Sequence, residues 1–233
     1  MRYKVQVIGW ALIWCGVLVF GYLGWQLFVT DWMNAATQAE AAGTLQTELE
    51  ESTPVTESID PEVFLGSTPP PPDLSDLVEF VPEEPVDRGE SFAFMTIPKL
   101  GLEDVVVYEG VDSGTLTKGP GHMGDTPLPG QPGNAVISGH RTTYGRPFVD
   151  FDLLEPGDRI EIVSAAGAHA YQVREILIVE PTDVWVTDPR PGAWLTLTTC
   201  HPKFSARQRL VVWAEMVEGP NLEYIELYEA KFG

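Results

Sequence analysis

Two cysteines, four histidines and one arginine carry most of the chemistry this chain has to offer. Cys15 lies in a long apolar run near the N-terminus, which leaves Cys200 with no disulfide partner in the rest of the chain. Cys200 ends the run Trp194-Leu195-Thr196-Leu197-Thr198-Thr199-Cys200. Leu195 and Leu197 alternate with Trp194, Thr196 and Thr198, which is the period of a strand. That period sets Cys200 on the face of Thr196 and Thr198, away from the leucines. Pro202 cannot donate to a ladder, so the strand stops there. After a short loop, Arg209-Leu210-Val211-Val212-Trp213-Ala214 reads as a second strand. Paired as a hairpin, the two strands bring Cys200 and Arg209 face to face at its open end. A fixed cation beside a thiol favours the thiolate and can hold a developing oxyanion. A further apolar strand, Asn134-Ala135-Val136-Ile137-Ser138-Gly139-His140, ends in the base that a nucleophilic cysteine needs. The rival reading is a buried structural cysteine beside a surface arginine, since free cysteines mostly behave as small hydrophobes.

The other histidines are weaker candidates. His122 sits in the loop Gly119-Pro120-Gly121-His122 and His201 follows the thiol, so both are candidates for support around the site. His169 follows a glycine turn and is expected in solvent. A metal centre built from Cys200, His201 and another histidine would call for spacings such as C-x2-C with H-x3–5-H, and the chain has none of these. Neither a metal nor an organic cofactor is expected.

With the three strand ends in view, the chain resembles the sortases, cysteine transpeptidases of Gram-positive cell surfaces. The resemblance rests on Gly139-His140-Arg141-Thr142-Thr143, on Thr196-Leu197-Thr198-Thr199-Cys200, and on an arginine opening the next strand. Thr198-Thr199-Cys200-His201-Pro202 with Ser205-Ala206-Arg207-Gln208-Arg209 is most similar to the class E group of actinobacteria. The likeness runs from about Phe92 to Met216 and takes in Ile97-Pro98-Lys99-Leu100-Gly101-Leu102 and Pro129-Gly130-Gln131-Pro132-Gly133-Asn134. It implies that Cys200 is the nucleophile, His140 the acid and base, and Arg209 the group that positions substrate and stabilises the oxyanion. It implies a Leu-Pro-x-Thr-Gly or Leu-Ala-x-Thr-Gly sorting signal, cut between Thr and Gly through a thioacyl enzyme. The resolving amine would belong to a lipid-linked cell-wall precursor. Tyr144, Thr198 and Thr199 are expected to contact substrate, with Tyr144 overhanging the groove. Two other readings stand beside this one. A different cell-wall cysteine transpeptidase or peptidase is one, although the Ser-x-Gly-Cys signature of L,D-transpeptidases is missing. A non-catalytic surface module is the other, although it would be free to lose the Cys, His or Arg.

Positioning three strand ends at one rim requires a particular fold. Seven or eight strands are legible between Phe92 and Ala214, with few helices, which points to a closed or nearly closed β-barrel. The resemblance implies eight strands. The Cys and His strands must then be parallel neighbours, with the Arg strand antiparallel to the Cys strand. The barrel is placed at residues 91–218 and an acidic tail at 219–233.

The 233 residues carry a net charge of −20, which excludes nucleic acid as a partner because phosphates would be repelled. Val7 to Val29 contains no charged residue. At ~1.5 Å per residue its length reaches ~34 Å, enough to cross a hydrocarbon core of ~30 Å. Arg2 and Lys4 precede it, and no Lys or Arg follows until Arg88, so residues 1–6 are expected inside the cell and the barrel outside. A cleaved signal peptide cut near Ala39-Glu40-Ala41 fits less well, because the apolar run is too long and ends too early. The expected topology is therefore a single-pass plasma-membrane protein with residues 7–29 as the anchor. Residues 30–90, acidic and with four consecutive prolines at 69–72, are expected to form a linker without fixed structure.

Overall fold

The computed structural model describes residues 2–25, 29–51 and 80–232. Eight strands close into a barrel: β1 (Ser91–Ile97), β2 (Leu102–Glu109), β3 (Gly121–His122), β4 (Gly133–Ser138), β5 (Arg159–Ser164), β6 (Gly167–Val179), β7 (Ala193–His201) and β8 (Gln208–Glu218). Their order around the barrel is β1-β2-β3-β4-β7-β8-β6-β5, and β5 pairs with β1 to close it. Two pairings are parallel, β2 with β3 and β4 with β7. The expectation of an eight-stranded barrel with parallel His and Cys strands holds.

Alternation explains why the barrel closes. Leu195 and Leu197 of β7, Ile137 of β4, Met95 and Ile97 of β1, and Ile160 and Ile162 of β5 all point inward and are wholly buried. Tyr171 fills the interior among them and its hydroxyl accepts a hydrogen bond from Gly130 N at 2.7 Å. Phe148 and Phe151, from the segment after His140, stack at 3.9 Å and enter the same core. On the outer side of β7 and β8, Val211, Trp213, Val179 and Val186 form a second apolar cluster. It is covered by a short 3-10 turn, Val184–Thr187, that Asn134 and Trp213 hold through the carbonyl of Val186.

The N-terminal part differs from the sequence expectation. Residues 30–51 are not an unstructured linker: α2 (Thr30–Glu51) is a helix docked on the outside of β2. Its Ala35, Ala36, Ala39, Ala41 and Ala42 are strong helix formers, and a stripe of Asn34, Gln38, Ala41, Leu45 and Leu49 recurs at helical spacing. Leu45 is buried with Ala41, Ala42 and Leu49 against Val106, Tyr108 and Phe94. Gln38 makes the contact two-sided, accepting from Val106 N at 2.8 Å and donating to Val106 O at 3.2 Å. The prolines at 69–72 fall outside the described residues.

The acidic tail at 219–233, unassigned from the sequence, is structured over its described residues. A second docked helix, α3 (Leu222–Phe232), buries Tyr224 and Ile225 against the core. Phe80 meets Tyr224 with ring centroids 4.8 Å apart, and Asn221 pairs with both backbone groups of Val81 at 2.8 Å. His169 is not in solvent but 1% exposed, and burial pushes its imidazole down to about 4. Its Nε2 lies 3.4 Å from Ser164 Oγ, which also donates to half-buried Glu83.

The anchor expected at 7–29 corresponds to α1 (Arg2–Gly24) and the residues just beyond it. Among the described residues no helix is long and apolar enough to cross a membrane. Residues 26–28 of the expected span lie outside the described residues. Along α1 the large apolar side chains from Val7 to Tyr22 are exposed.

Candidate active site

Three adjacent strands set the site. The parallel ladder pairs Gly133 with Ala193 and runs in step to Ser138 with Thr198. Gly139 N continues it, donating to Thr198 O at 3.1 Å. One more step puts His140 level with Cys200. In the antiparallel ladder on the other side, Cys200 pairs directly with Arg209. His140, Cys200 and Arg209 therefore form one rank across β4, β7 and β8, with neighbouring strands ~4.8 Å apart. The leucines of β7 face the core, so Cys200 lies on the outer face with Thr198, as the alternation predicts.

Each member of the rank is half-buried. Burial lowers the His140 imidazole from its ordinary value, favouring the neutral ring. Its ring packs against Tyr144, with centroids 5.1 Å apart and planes tilted by 42°. The Arg209 guanidinium donates from one nitrogen to the carbonyls of Ala206 at 3.0 Å and Gln208 at 3.1 Å. Both partners are neutral, so these bonds fix the guanidinium without cancelling its charge.

The remaining expected residues divide. Thr198 lies beside Cys200 on the outer face and stays half-buried. Thr199 does not open toward substrate: it is buried, and its hydroxyl donates to Gly139 O at 2.8 Å, joining the His and Cys strand ends. His122 is buried away from the rank, paired through Nδ1 with Glu109 at 2.7 Å and next to Pro127 O and Thr126 Oγ1 through Nε2. Its role there is to fasten β3 to its neighbours.

His201 is tied to a residue whose role the sequence reading missed. Arg141, only 3% exposed, reaches under the rank from the residue after His140. Its guanidinium donates to His201 Nδ1 at 2.9 Å and to Asp152 Oδ1 at 2.6 Å, and approaches the carbonyls of Cys200 and Val149, each at 3.4 Å. Because an arginine only donates, His201 Nδ1 is the acceptor and the ring proton sits on Nε2. Asp152 compensates the buried cation. Burial alone would raise its carboxyl, but its own backbone N–H, the Arg141 bond and the charges of Arg141 and Lys203 hold it below the usual range. Arg141 thus locks the ends of β4 and β7 together from below. The signal was available: His140 points outward, so its neighbour points inward, and an inward arginine requires partners.

The comparisons with known proteins agree with this geometry. The sortase domain family matches residues 95–217, more than half of the chain. The chain belongs to the sortase family. It is 32% identical to sortase SrtE1 of Streptomyces coelicolor over 91% of its own length, and spans 57% of the length of that relative. It is 29% identical to sortase D of Bacillus subtilis, covering 91% of this chain and 98% of the relative. A T196V mutant of sortase E from Streptomyces avermitilis superimposes with a TM-score of 0.53 at 38% identity, covering 57% of this chain and 91% of that one. Sortase E1 from Streptomyces coelicolor, solved with a tripeptide in the active site, gives 0.52 at 36% identity, covering 58% and 93%. These likenesses support the class E expectation among sortases.

Proposed function

We propose that this sortase is a membrane-anchored, extracytoplasmic transpeptidase that joins secreted proteins to a cell-wall amine. The observation carrying this reading is the single rank of His140, Cys200 and Arg209 on the outer face of three adjacent strands. The Cys200 thiol gives its proton to the neutral His140 as the sulfur attacks the carbonyl carbon of the signal's threonine, and the oxyanion that forms lies toward the Arg209 guanidinium. His140 gives a proton to the departing glycine nitrogen as the Thr–Gly bond breaks, leaving a thioester on Cys200. The incoming amine loses a proton to His140 as it attacks the thioester, and that proton returns to the departing Cys200 sulfur, restoring the thiol and the neutral ring. A neutral imidazole, favoured by the burial of His140, suits this second half. Tyr144 and Thr198 flank the reacting carbonyl.

The test is a panel of peptides with Leu-Ala-x-Thr-Gly and Leu-Pro-x-Thr-Gly signals, offered to the full chain with an amine acceptor. Mass spectrometry should find the threonine carbonyl joined to the amine, and a matching acyl adduct on Cys200 when the amine is withheld. Absence of both adduct and joined product across the panel would overturn the reading.

The anchor belongs to the same proposal. The uncharged run 7–29 has apolar residues on every side of α1, as a lipid-facing helix requires, and Arg2 and Lys4 precede it. Protease added to intact wall-stripped cells should remove the barrel. Protection until the membrane is opened would reverse the topology.

A further inference from the structure

We propose that Asp31 and Asn34, in the first turns of α2, are positioning residues for catalysis, holding the loop that sets Tyr144 against His140. The inference rests on the assignment of His140 above. Residues 144–146 are a run of three positive φ angles: +52° at Tyr144, +75° at Gly145 and +50° at Arg146. Only the glycine adopts that region without strain, so two side-chain-bearing residues keep it only if something outside the loop fixes it. α2 supplies the fixing groups. Asp31 Oδ1 accepts from Gly145 N at 3.0 Å, and Asp31 Oδ2 pairs with Arg146 at 3.0 Å. Asn34 packs so close to Gly145 that an added Cβ would collide with its Oδ1. Asn34 is itself immobilised, donating from Nδ2 to Thr117 O at 2.9 Å and Lys118 O at 2.8 Å, and is 9% exposed. Each strained residue of the loop thus neighbours or meets a group on α2, and the first of them carries the ring packed on His140.

Asp31 and Asn34 touch neither the reacting atoms nor His140, so their effect travels through the loop backbone. With α2 seated, Tyr144 screens one side of the imidazole from water and helps to keep it neutral. With α2 loosened, residues 144–146 relax toward ordinary φ values and the ring loses both its wall and its orientation. Catalysis then depends on a helix that follows directly on the proposed anchor.

The experiment compares the full chain in lipid nanodiscs with its Asp31→Ala/Asn34→Ala and Asp31→Asn variants, using a sorting-signal peptide that the parent turns over. Misplacement of a catalytic group by a fraction of an ångström predicts a fall in kcat on the order of tenfold for the double variant, with KM within about twofold. The acid limb of its kcat profile should move to higher pH, toward an exposed imidazole. Asp31→Asn keeps an acceptor for Gly145 N and should recover most of the rate. An unmoved kcat and acid limb, or a loss of rate matched by loss of folded protein, overturns the inference. Turnover that depends on Cys200 but not on α2 would leave the transpeptidase reading standing and remove this one alone.

Discussion

Cys200→Ala is expected to abolish turnover while the barrel stays folded. The thiol is half-buried on the outer face, and the core of β7 is made by Leu195 and Leu197. Removing one sulfur atom there opens no interior cavity. The β7–β8 ladder and the Arg141 bonds to His201 and Asp152 need nothing from the side chain of residue 200. The thioester, in contrast, has no other possible site among the described residues beyond α1. Steady-state joining of a sorting-signal peptide to an amine should fall to background, with the melting temperature of the variant close to that of the parent. Joining at a comparable rate would refute covalent catalysis by this thiol.

His140→Ala should cost ~10²–10⁴-fold in kcat, the usual worth of a positioned acid and base. Burial has lowered the ring's pKa, and the sign of the pH dependence follows. Above that lowered value the ring is neutral and can take the proton of the incoming amine. As pH falls through it the ring becomes cationic and the second half-reaction slows. The acid limb of kcat should therefore lie below the ordinary imidazole range, and it should vanish in His140→Ala. A limb that survives the substitution would belong to another group, and a loss of only a few-fold would remove His140 from proton transfer.

The barrel and the face that each candidate residue takes were legible because both rest on period two. Leu195 and Leu197 against Thr198 and Cys200, and Ala135 and Ile137 before His140, encode which face each residue takes before any contact is known. The hairpin already put Cys200 opposite Arg209, but the register that sets His140 level with them was not legible, because it comes from pairings such as Ser138 with Thr198 that are distant in sequence. Arg141 was missed because a charged residue at a strand end reads as solvated until its buried partners are known. α2 was hidden by averaging. The acidity and prolines of 30–90 suggest an open chain as a whole, while 30–51 alone carries alanines and the stripe from Asn34 to Leu49. Thr199 was named with Thr198 as a substrate contact, although the alternation along β7 turns it to the inner side.

The docking of α2 changes what the acidic stretch 52–79 can do. A chain that ran freely from the membrane to the barrel would act as a tether, and its length would set how far the enzyme reaches into the wall. Here Asp31 holds the loop after His140 only two residues beyond Val29, a span of at most ~7 Å. If residues 7–29 cross a bilayer as proposed, this spacing keeps the loop after His140, and the rim it borders, close to the lipid headgroups. The distance from the proposed anchor to the rim is then set by where α2 docks, not by the number of residues between Glu51 and Phe80. On that proposed reading, substrates themselves held at the membrane would meet the enzyme in two dimensions.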